Sequence, residues 1–134
     1  MLGEKIGDEA GKVTVQRVVA QPGGETGMET TFQASGTILG MAHRTTGTYT
    51  SSMRPDGSLY GTGHGLVMNS EGGAAKWVGD GVGKIKPDGS VSFRGAIYYQ
   101  TAFAKWTRLN GVAAVFEYDV DPQGNTRAQI WEWK

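Results

Sequence analysis

The sequence predicts an all-β protein, an eight-stranded antiparallel up-and-down barrel, and three observations lead to this fold class. A turn phrase occurs twice, as Arg54-Pro55-Asp56-Gly57-Ser58 and Lys86-Pro87-Asp88-Gly89-Ser90, with a looser third copy at Asp121-Pro122-Gln123-Gly124-Asn125. The runs between these turns alternate polar residues with β-branched, aromatic or glycine residues. Glycine itself makes up 22 of the 134 residues, about twice its usual share of roughly 7%. Because these glycines are interleaved with strand-forming residues, they indicate a glycine-rich sheet and not a disordered segment.

The repeated phrase has the chemistry of a tight hairpin. Proline presets φ at the first turn position, aspartate bonds to nearby backbone, and glycine accepts a positive φ. We therefore predict three-residue loops that pair Arg54 with Ser58 and Lys86 with Ser90. Counting outwards from these loops places Tyr49 opposite Gly63 and Phe93 opposite Gly83.

The elements follow in order along the chain. The polar, glycine-rich residues 1–11 are predicted to form a flexible N-terminal arm, and residues 12–134 a single barrel domain. Strands are predicted at 12–21, 28–39, 42–53, 59–69, 74–85, 91–100, 112–120 and 126–133. Eight strands joined by short turns favour closure, because a closed barrel leaves no sheet edge exposed.

Residues 101–110 break the strand pattern and are predicted to form one short helical segment across an end of the sheet. Thr101 can cap its start, and Asn110-Gly111 is a stop signal. Phe103, Trp106 and Leu109 recur at roughly helical spacing.

Number parity separates the two faces of the central strands. The odd positions of residues 49–99 are mostly aromatic, aliphatic or glycine, whereas the even positions carry nearly every charge. We therefore expect the odd face to line the interior. Two Gly-x-Gly-x-Gly runs, at 61–65 and 79–83, resemble phosphate-binding loops, but such loops need a strand-to-helix turn. Inside strands they instead allow strong coiling and leave room for rings, or thin the wall around a ligand cavity.

Composition disfavours several classes of function. The formal net charge is zero and no basic stripe is visible, so we expect no nucleic-acid partner. The chain has no cysteine and only two histidines, so neither a metal site nor a cofactor is predicted. No apolar run is long enough for a membrane span, and the first residues lack the layout of a secretory signal. A cytoplasmic protein is the default expectation.

Two histidines are the first candidates for chemistry. His64 and Asp80 are predicted to face each other if the turn after residue 69 is centred on Gly72, and a histidine–carboxylate pair is half of a catalytic triad. No serine is placed to act as nucleophile, so surface pairing is the favoured interpretation. His43 has an odd residue number, as the predicted inward-facing residues do, and it lies close to the chain reversal at Gly40. It is either a barrel-end histidine satisfied by backbone, or a weak catalytic candidate as a general base or ligand contact.

Acidic and tryptophan pairs near the C-terminus are further candidates. Glu117 and Asp119 share one face of a strand, and paired carboxylates can act as acid and base in sugar chemistry. Alternation places them on a solvated outer face instead. Trp131 and Trp133 either complete the core, pack in an interface, or form a platform that binds a ligand.

Inner aromatic residues are the predicted ligand-binding set, namely Tyr49, Trp77, Phe93, Tyr99, Trp106, Phe116 and Tyr118. The even, outer face is interrupted by apolar residues, which are Leu66, Met68, Val78, Val82 and Tyr98. Because contiguous exposed apolar patches mark partner surfaces, we predict a homo-oligomer that buries this outer patch.

The C-terminal half resembles a known kind of barrel. The strand 91–99, the crossing 101–109, Asn110-Gly111-Val112 and the returning strand 115–118 are similar in layout to allene oxide cyclase-like barrels. The resemblance covers about 40 residues and implies an eight-stranded barrel, also lipocalin-like in architecture, with an apolar cavity open at one end and often a small homo-oligomer. The polar cavity residue of that family's cyclase matches no position here, so activity is not implied.

Three functions remain open at this stage. The barrel could bind a small apolar or aromatic molecule in its interior. It could be an isomerase or cyclase that shapes such a ligand, with His43 or a tyrosine as the polar group. It could also be a structural or interaction protein whose core is filled by its own rings.

Overall fold

The structure, a computed structural model, describes all 134 residues and confirms the predicted fold class. Eight antiparallel strands form a closed barrel in which each strand pairs with its sequence neighbours and the first pairs with the last. Their bounds are β1 Leu2–Ala20, β2 Thr26–Ile38, β3 Met41–Met53, β4 Leu59–Met68, β5 Ala74–Ile85, β6 Val91–Thr101, β7 Ala114–Val120 and β8 Asn125–Trp133. Short 3-10 helices lie at Pro22–Gly24 and Ala104–Leu109. No helix is long and apolar enough to cross a membrane.

The Pro-Asp-Gly hairpins fold as the sequence predicts. The amide of Arg54 donates to Ser58 O and the amide of Lys86 to Ser90 O, at 2.7 and 2.8 Å, so each loop has three residues. Glycine at the third loop position has a φ of 87° at Gly57 and 92° at Gly89. The predicted pairs of Tyr49 with Gly63 and Phe93 with Gly83 are both confirmed.

The register between β4 and β5 differs from the prediction by two residues. His64 pairs with Val78, and Asp80 pairs with Thr62, so the predicted His64–Asp80 pair does not form. The cause is the turn between the strands. Asn69 Oδ1 accepts hydrogen bonds from the amides of Glu71 and Gly73, both at 2.9 Å, and so centres the loop on Glu71 instead of Gly72.

The N-terminal residues form the first half of β1, which corrects the prediction of a flexible arm at residues 1–11. Residues 7–12 pair with β2 on one side and with β8 on the other. This pairing closes the barrel, because β8 otherwise has no second neighbour. The remaining predicted strand ends agree with the structure to within two residues.

The helical segment is a single 3-10 helix, Ala104–Leu109, that closes one end of the barrel. Trp106 is fully buried and Leu109 is 2% exposed. Both pack into the lower core cluster, which contains Ile6, Ile38, Val67, Ala75, Ile97, Tyr99, Trp106, Leu109, Ala114 and Ile130. An upper cluster lies towards the Pro-Asp-Gly turns and contains Phe32, Ala34, Leu59, Phe93, Tyr118 and Ala128. The two clusters divide the interior along the barrel axis.

Candidate ligand cavity

The barrel interior contains a cavity of about 70 Å³ between the two core clusters. It is lined by Glu9, Phe32, Tyr49, Gly61, Thr62, Gly63, Trp77, Gly79, Asp80, Gly81, Phe93, Ile97, Tyr99, Phe116, Tyr118, Ala128 and Ile130. One wall is therefore glycine backbone of β4 and β5, and the others are mainly rings and aliphatic side chains. The cavity exists because the glycine wall contributes no side chains to the interior.

The glycine runs inside β4 and β5 pack against rings and do not form phosphate loops. Trp77 lies so close to Gly65 that a Cβ there would overlap its indole ring. Phe93 covers Gly83 in the same way, at 2.7 Å from the position that a Cβ would take. Rings over glycines fill only part of the space, and the part beside Gly61, Gly63, Gly79 and Gly81 stays open. The structure thus confirms that glycines in these runs make room for rings, whereas a ligand in the remaining space stays a prediction.

An aromatic cluster forms the upper boundary of the cavity. The Phe32 and Tyr118 ring centroids are 5.2 Å apart, and the Tyr49 and Tyr118 rings meet edge to face at 5.6 Å. Such tilted and edge-on contacts are favoured over stacked faces. The hydroxyl oxygens of Tyr49 and Tyr118 are 3.3 Å apart, so these two phenols hydrogen-bond to each other.

A buried acid–histidine pair provides the strongest polar feature of the site. Glu9 Oε2 lies 2.8 Å from His43 Nε2, and the His43 side chain has no exposed surface. Glu9 borders the cavity, and its other oxygen, Oε1, makes no hydrogen bond. His43 Nδ1 is buried and has no hydrogen-bond partner. The pair is held by facing strands, because Glu9 and His43 both lie opposite Gly36 of β2, on its two sides.

Sequence reasoning missed Glu9 because it assigned residues 1–11 to an arm. The sequence nevertheless contained a signal for a strand here. Gly7, Glu9 and Gly11 occupy alternate positions, as the small inward-facing residues of other strands do. A charged residue at an inward position flanked by glycines is unusual, and buried charged groups need a partner. His43 is therefore bonded to a carboxylate, and not to the backbone as one interpretation of the sequence predicted.

The tyrosines around the cavity are held in their neutral form. Burial raises the pKa of Tyr99 well above its usual value, and the nearby Glu9 charge raises it further. Burial likewise raises the pKa of Tyr118, with smaller contributions from Tyr49 and Glu9. Burial also raises the pKa of Tyr49, although its hydrogen bond with Tyr118 opposes the shift. All three phenols are therefore hydrogen-bond donors at neutral pH.

Six of the seven predicted ligand-binding residues line the cavity, namely Tyr49, Trp77, Phe93, Tyr99, Phe116 and Tyr118. Trp106 does not, because it packs edge to face against Phe103 in the closed end, at a centroid distance of 5.5 Å. His43 does not border the cavity and reaches it only through Glu9. A role of these residues in ligand binding stays a prediction.

The other predicted candidates lie on the outside of the barrel. Glu117 and Asp119 are half exposed and form ion pairs with Arg94, at 3.8 and 3.2 Å. Trp131 and Trp133 share the outward parity of β8, whose inward positions are Thr126, Ala128 and Ile130. Glu117 and Asp119 are thus paired with an arginine on the outer face, as the favoured interpretation predicted, and the two tryptophans do not complete the core.

A second, polar groove of about 230 Å³ lies where β1 begins and next to the β2–β3 turn. Its charged residues are already paired with one another. Lys5 Nζ is 3.1 Å from Asp8, and Arg108 is 3.2 Å from Glu4. Because these charges are satisfied within the protein, the groove is a weaker ligand site than the interior cavity.

The side chains of the outer patch are exposed, as expected from their even residue numbers. Leu66 and Met68 are the most open of its members, at 62% and 60%, and Tyr98 is 47% exposed. Val78 lies between His64 and Tyr98 in the sheet, so the patch spans three neighbouring strands.

Taken together, these features define an eight-stranded antiparallel barrel with an aromatic interior cavity and one buried acid–histidine pair. Proteins with the same barrel are found among solved structures. A protein of unknown function from Clostridium acetobutylicum ATCC 824 has a TM-score of 0.81 and 13% identity, with 98% of each chain covered. A conserved protein of unknown function from Rhodopseudomonas palustris has a TM-score of 0.80 and 9% identity, over 98% of this chain and 97% of that one. At such identities the similarity shows the fold alone. No protein-family model matches the chain, and no curated protein matches it in sequence.

Proposed function

We propose that this protein binds a small apolar or aromatic molecule inside the barrel. The observation that carries the proposal is the 70 Å³ cavity between a glycine wall and a set of aromatic rings. Ligand sites are typically concave, mostly apolar and supplied with few polar groups. Here the polar groups are Glu9 and the neutral hydroxyl of Tyr99. The resemblance to allene oxide cyclase-like barrels, which implies an apolar cavity open at one end, supports the same proposal.

The volume limits the size of the ligand. An apolar cavity of about 150 Å³ holds one benzene molecule or xenon. The cavity of this barrel is about 70 Å³, so xenon and molecules of a few heavy atoms match it without rearrangement. A larger aromatic ligand requires that rings such as Tyr49 or Phe93 rotate.

The proposal is tested by titrating the protein with xenon, 1-propanol and benzene while following the indole N–H signal of Trp77 by NMR. We expect saturable shifts with at least one of these probes. The Gly61→Ala variant should weaken binding, because its added Cβ projects into the cavity and lies 3.3 Å from the Phe93 ring. Ala74→Val, which adds side-chain atoms at an exposed strand position outside the cavity lining, is the control. No saturable shift with any probe would favour a filled core and a structural role.

The Glu9–His43 pair favours a second candidate, an isomerase or cyclase that acts on the bound molecule. Glu9 Oε1 is free to accept a proton in the cavity, and His43 orients the carboxylate from behind. The test uses an identified ligand in D₂O and follows loss of its acidic C–H signals by proton NMR. We expect faster exchange with the wild type than with Glu9→Gln. Equal exchange rates at equal occupancy would exclude this role for Glu9.

We also propose that the outer patch of Leu66, Met68, Val78, Val82 and Tyr98 joins copies of the chain into a homo-oligomer. Its exposed apolar surface, between 47% and 62% for each side chain, supports this proposal. A Leu66→Glu/Val78→Glu double variant should sediment more slowly than the wild type. An unchanged sedimentation coefficient would argue against this interface.

A further inference from the structure

We propose that the ligand of the cavity carries an ammonium group, which Glu9 binds while the aromatic rings enclose the apolar part. The inference rests on the proposed function, since it names the chemical class of the molecule that the cavity takes. It excludes carboxylates and other anions from the same site.

The charges around the cavity are of one sign. Its lining contains two carboxylate residues, Glu9 and Asp80, and no lysine or arginine. Asp80 accepts a hydrogen bond from the Tyr60 hydroxyl at 2.8 Å on the outer face of the sheet, which leaves Glu9 as the carboxylate of the interior. The one basic group near Glu9 is the His43 imidazole, which lies behind it and outside the cavity lining. An anionic ligand would thus meet a carboxylate and no cation.

One carboxylate oxygen of Glu9 is free to accept a hydrogen bond. Its Oε2 is taken by His43 Nε2, whereas Oε1 has no partner within the protein. A carboxylate oxygen that is not yet bonded can accept a charge-assisted hydrogen bond from a ligand donor, and such bonds are stronger than neutral ones. The Tyr99 hydroxyl, which lines the same cavity, also has no hydrogen bond within the protein. An ammonium group supplies several donors at once and can serve both oxygens.

The rings add a second attraction for cations. Six aromatic residues besides Tyr99 border the cavity, namely Phe32, Tyr49, Trp77, Phe93, Phe116 and Tyr118. The negative faces of aromatic rings attract ammonium groups, most strongly where water is excluded. The same rings repel an anion and bury the alkyl part of a ligand. The combination of one carboxylate with several rings is the chemistry that recognises small organic ammonium ions.

The negative charge of Glu9 also affects the neighbouring tyrosines. The carboxylate contributes to the raised pKa of both Tyr99 and Tyr118, after the larger effect of burial. Negative charge on either phenol is disfavoured by the same field that would repel a ligand carboxylate.

The test uses three probes of nearly equal size, propylammonium, 1-propanol and propionate, titrated at pH 7 with the Trp77 indole N–H as the NMR reporter. We expect propylammonium to bind on the order of tenfold more tightly than 1-propanol, because a charged hydrogen bond is stronger than a neutral one. Propionate should produce no saturable shift. In Glu9→Gln the preference for propylammonium over 1-propanol should disappear. Asp119→Asn, which removes a carboxylate from the outer face, should keep the wild-type order.

Distinct outcomes separate this inference from the proposed function. If 1-propanol binds and propylammonium binds no better, the inference is wrong and the cavity still binds ligands. If propionate binds as well as propylammonium, or the preference survives in Glu9→Gln, the inference is likewise wrong. If no probe binds, both proposals fail together. Should Glu9→Gln not fold, the order of the three probes on the wild type decides the matter by itself.

Discussion

The two ends of the barrel have the same alternating sequence pattern but different burial. At the closed end, inward-facing residues such as Ile38 are almost fully buried, because Trp106 and Leu109 of the 3-10 helix lie over them. At the turn end, Met53 and Ile85 share the inward parity but are 61% and 50% exposed. Nothing covers this end except the hairpin turns. Parity therefore decides which way a side chain points, whereas its burial depends on what lies beyond the strand ends.

The largest expected effect comes from removing the group that covers the closed end. Trp106→Ala should destabilise the protein by about 3–5 kcal/mol, because it deletes a fully buried ring and leaves a cavity. Chemical denaturation followed by circular dichroism measures the free energy of unfolding.

Trp106→Phe is the matched control for this variant. The indole N–H of Trp106 is buried without a hydrogen-bond partner, so phenylalanine removes an unsatisfied donor while it keeps most of the apolar surface. Its loss of stability should be clearly smaller than that of the alanine variant. Equal losses would mean that the indole nitrogen makes a bond that the geometry does not reveal.

High pH should destabilise both core clusters at once. The pKa values of Tyr49, Tyr99 and Tyr118 are raised in the folded state, so their contribution is fully present below the unfolded pKa of about 10 and is lost as the pH rises above it. Each such tyrosine lowers the stability by about 1.4 kcal/mol per pH unit above that value. A titration at 295 nm should show these three phenols ionising only together with unfolding. Their ionisation in the native state would contradict the burial described above.

At the turn end, a truncation should have little effect. Ile85→Ala is expected to reduce the free energy of unfolding by less than about 1 kcal/mol, because half of this side chain is already in water. The same denaturation experiment compares it directly with Trp106→Ala. A loss as large as that of a core residue would show that the turn end is covered in solution, for example by a second copy of the chain.

The smallest effect is expected at the turns themselves. Asp88 Oδ1 accepts bonds from the amide and hydroxyl of Ser90, at 2.9 and 2.6 Å, and these bonds lower its pKa. A lowered folded pKa stabilises the protein above the unfolded value of about 4, and this contribution is lost as the pH falls through the folded pKa. Asp88→Ala should therefore lower the melting temperature slightly at pH 7. The difference from the wild type should shrink towards pH 2, and a constant difference would contradict the charged-acceptor explanation.

Local chemistry made part of the fold predictable. The Pro-Asp-Gly loops specify three-residue turns, so the β3–β4 and β5–β6 registers follow by counting. The β4–β5 register did not follow, because a side chain, Asn69, selects the centre of a longer loop that has several glycines. Where the turn residues allow one geometry, the sequence determines the pairing. Where they allow two, a single hydrogen-bonding side chain decides.

The residues of the candidate site were also predictable only in part. Parity alone identified six of the rings around the cavity, because alternation in strands is a local property. Trp106 was wrongly counted with them, because the helical spacing of residues 101–110 predicted a segment across an end of the sheet but did not show that this ring packs against Phe103, away from the cavity.

Local sequence was thus sufficient to predict the strands, their inner face and the glycine–ring packing, because all of these depend on neighbours in the chain or across a short turn. The role of residues 1–11, in contrast, depends on the closed barrel. Their partner β8 lies at the other end of the chain, and closure of the barrel turns a polar segment into a strand. That closure carries Glu9 into the interior and against His43, 34 residues away. A contact between such distant residues depends on the register around the whole barrel, which no local pattern encodes.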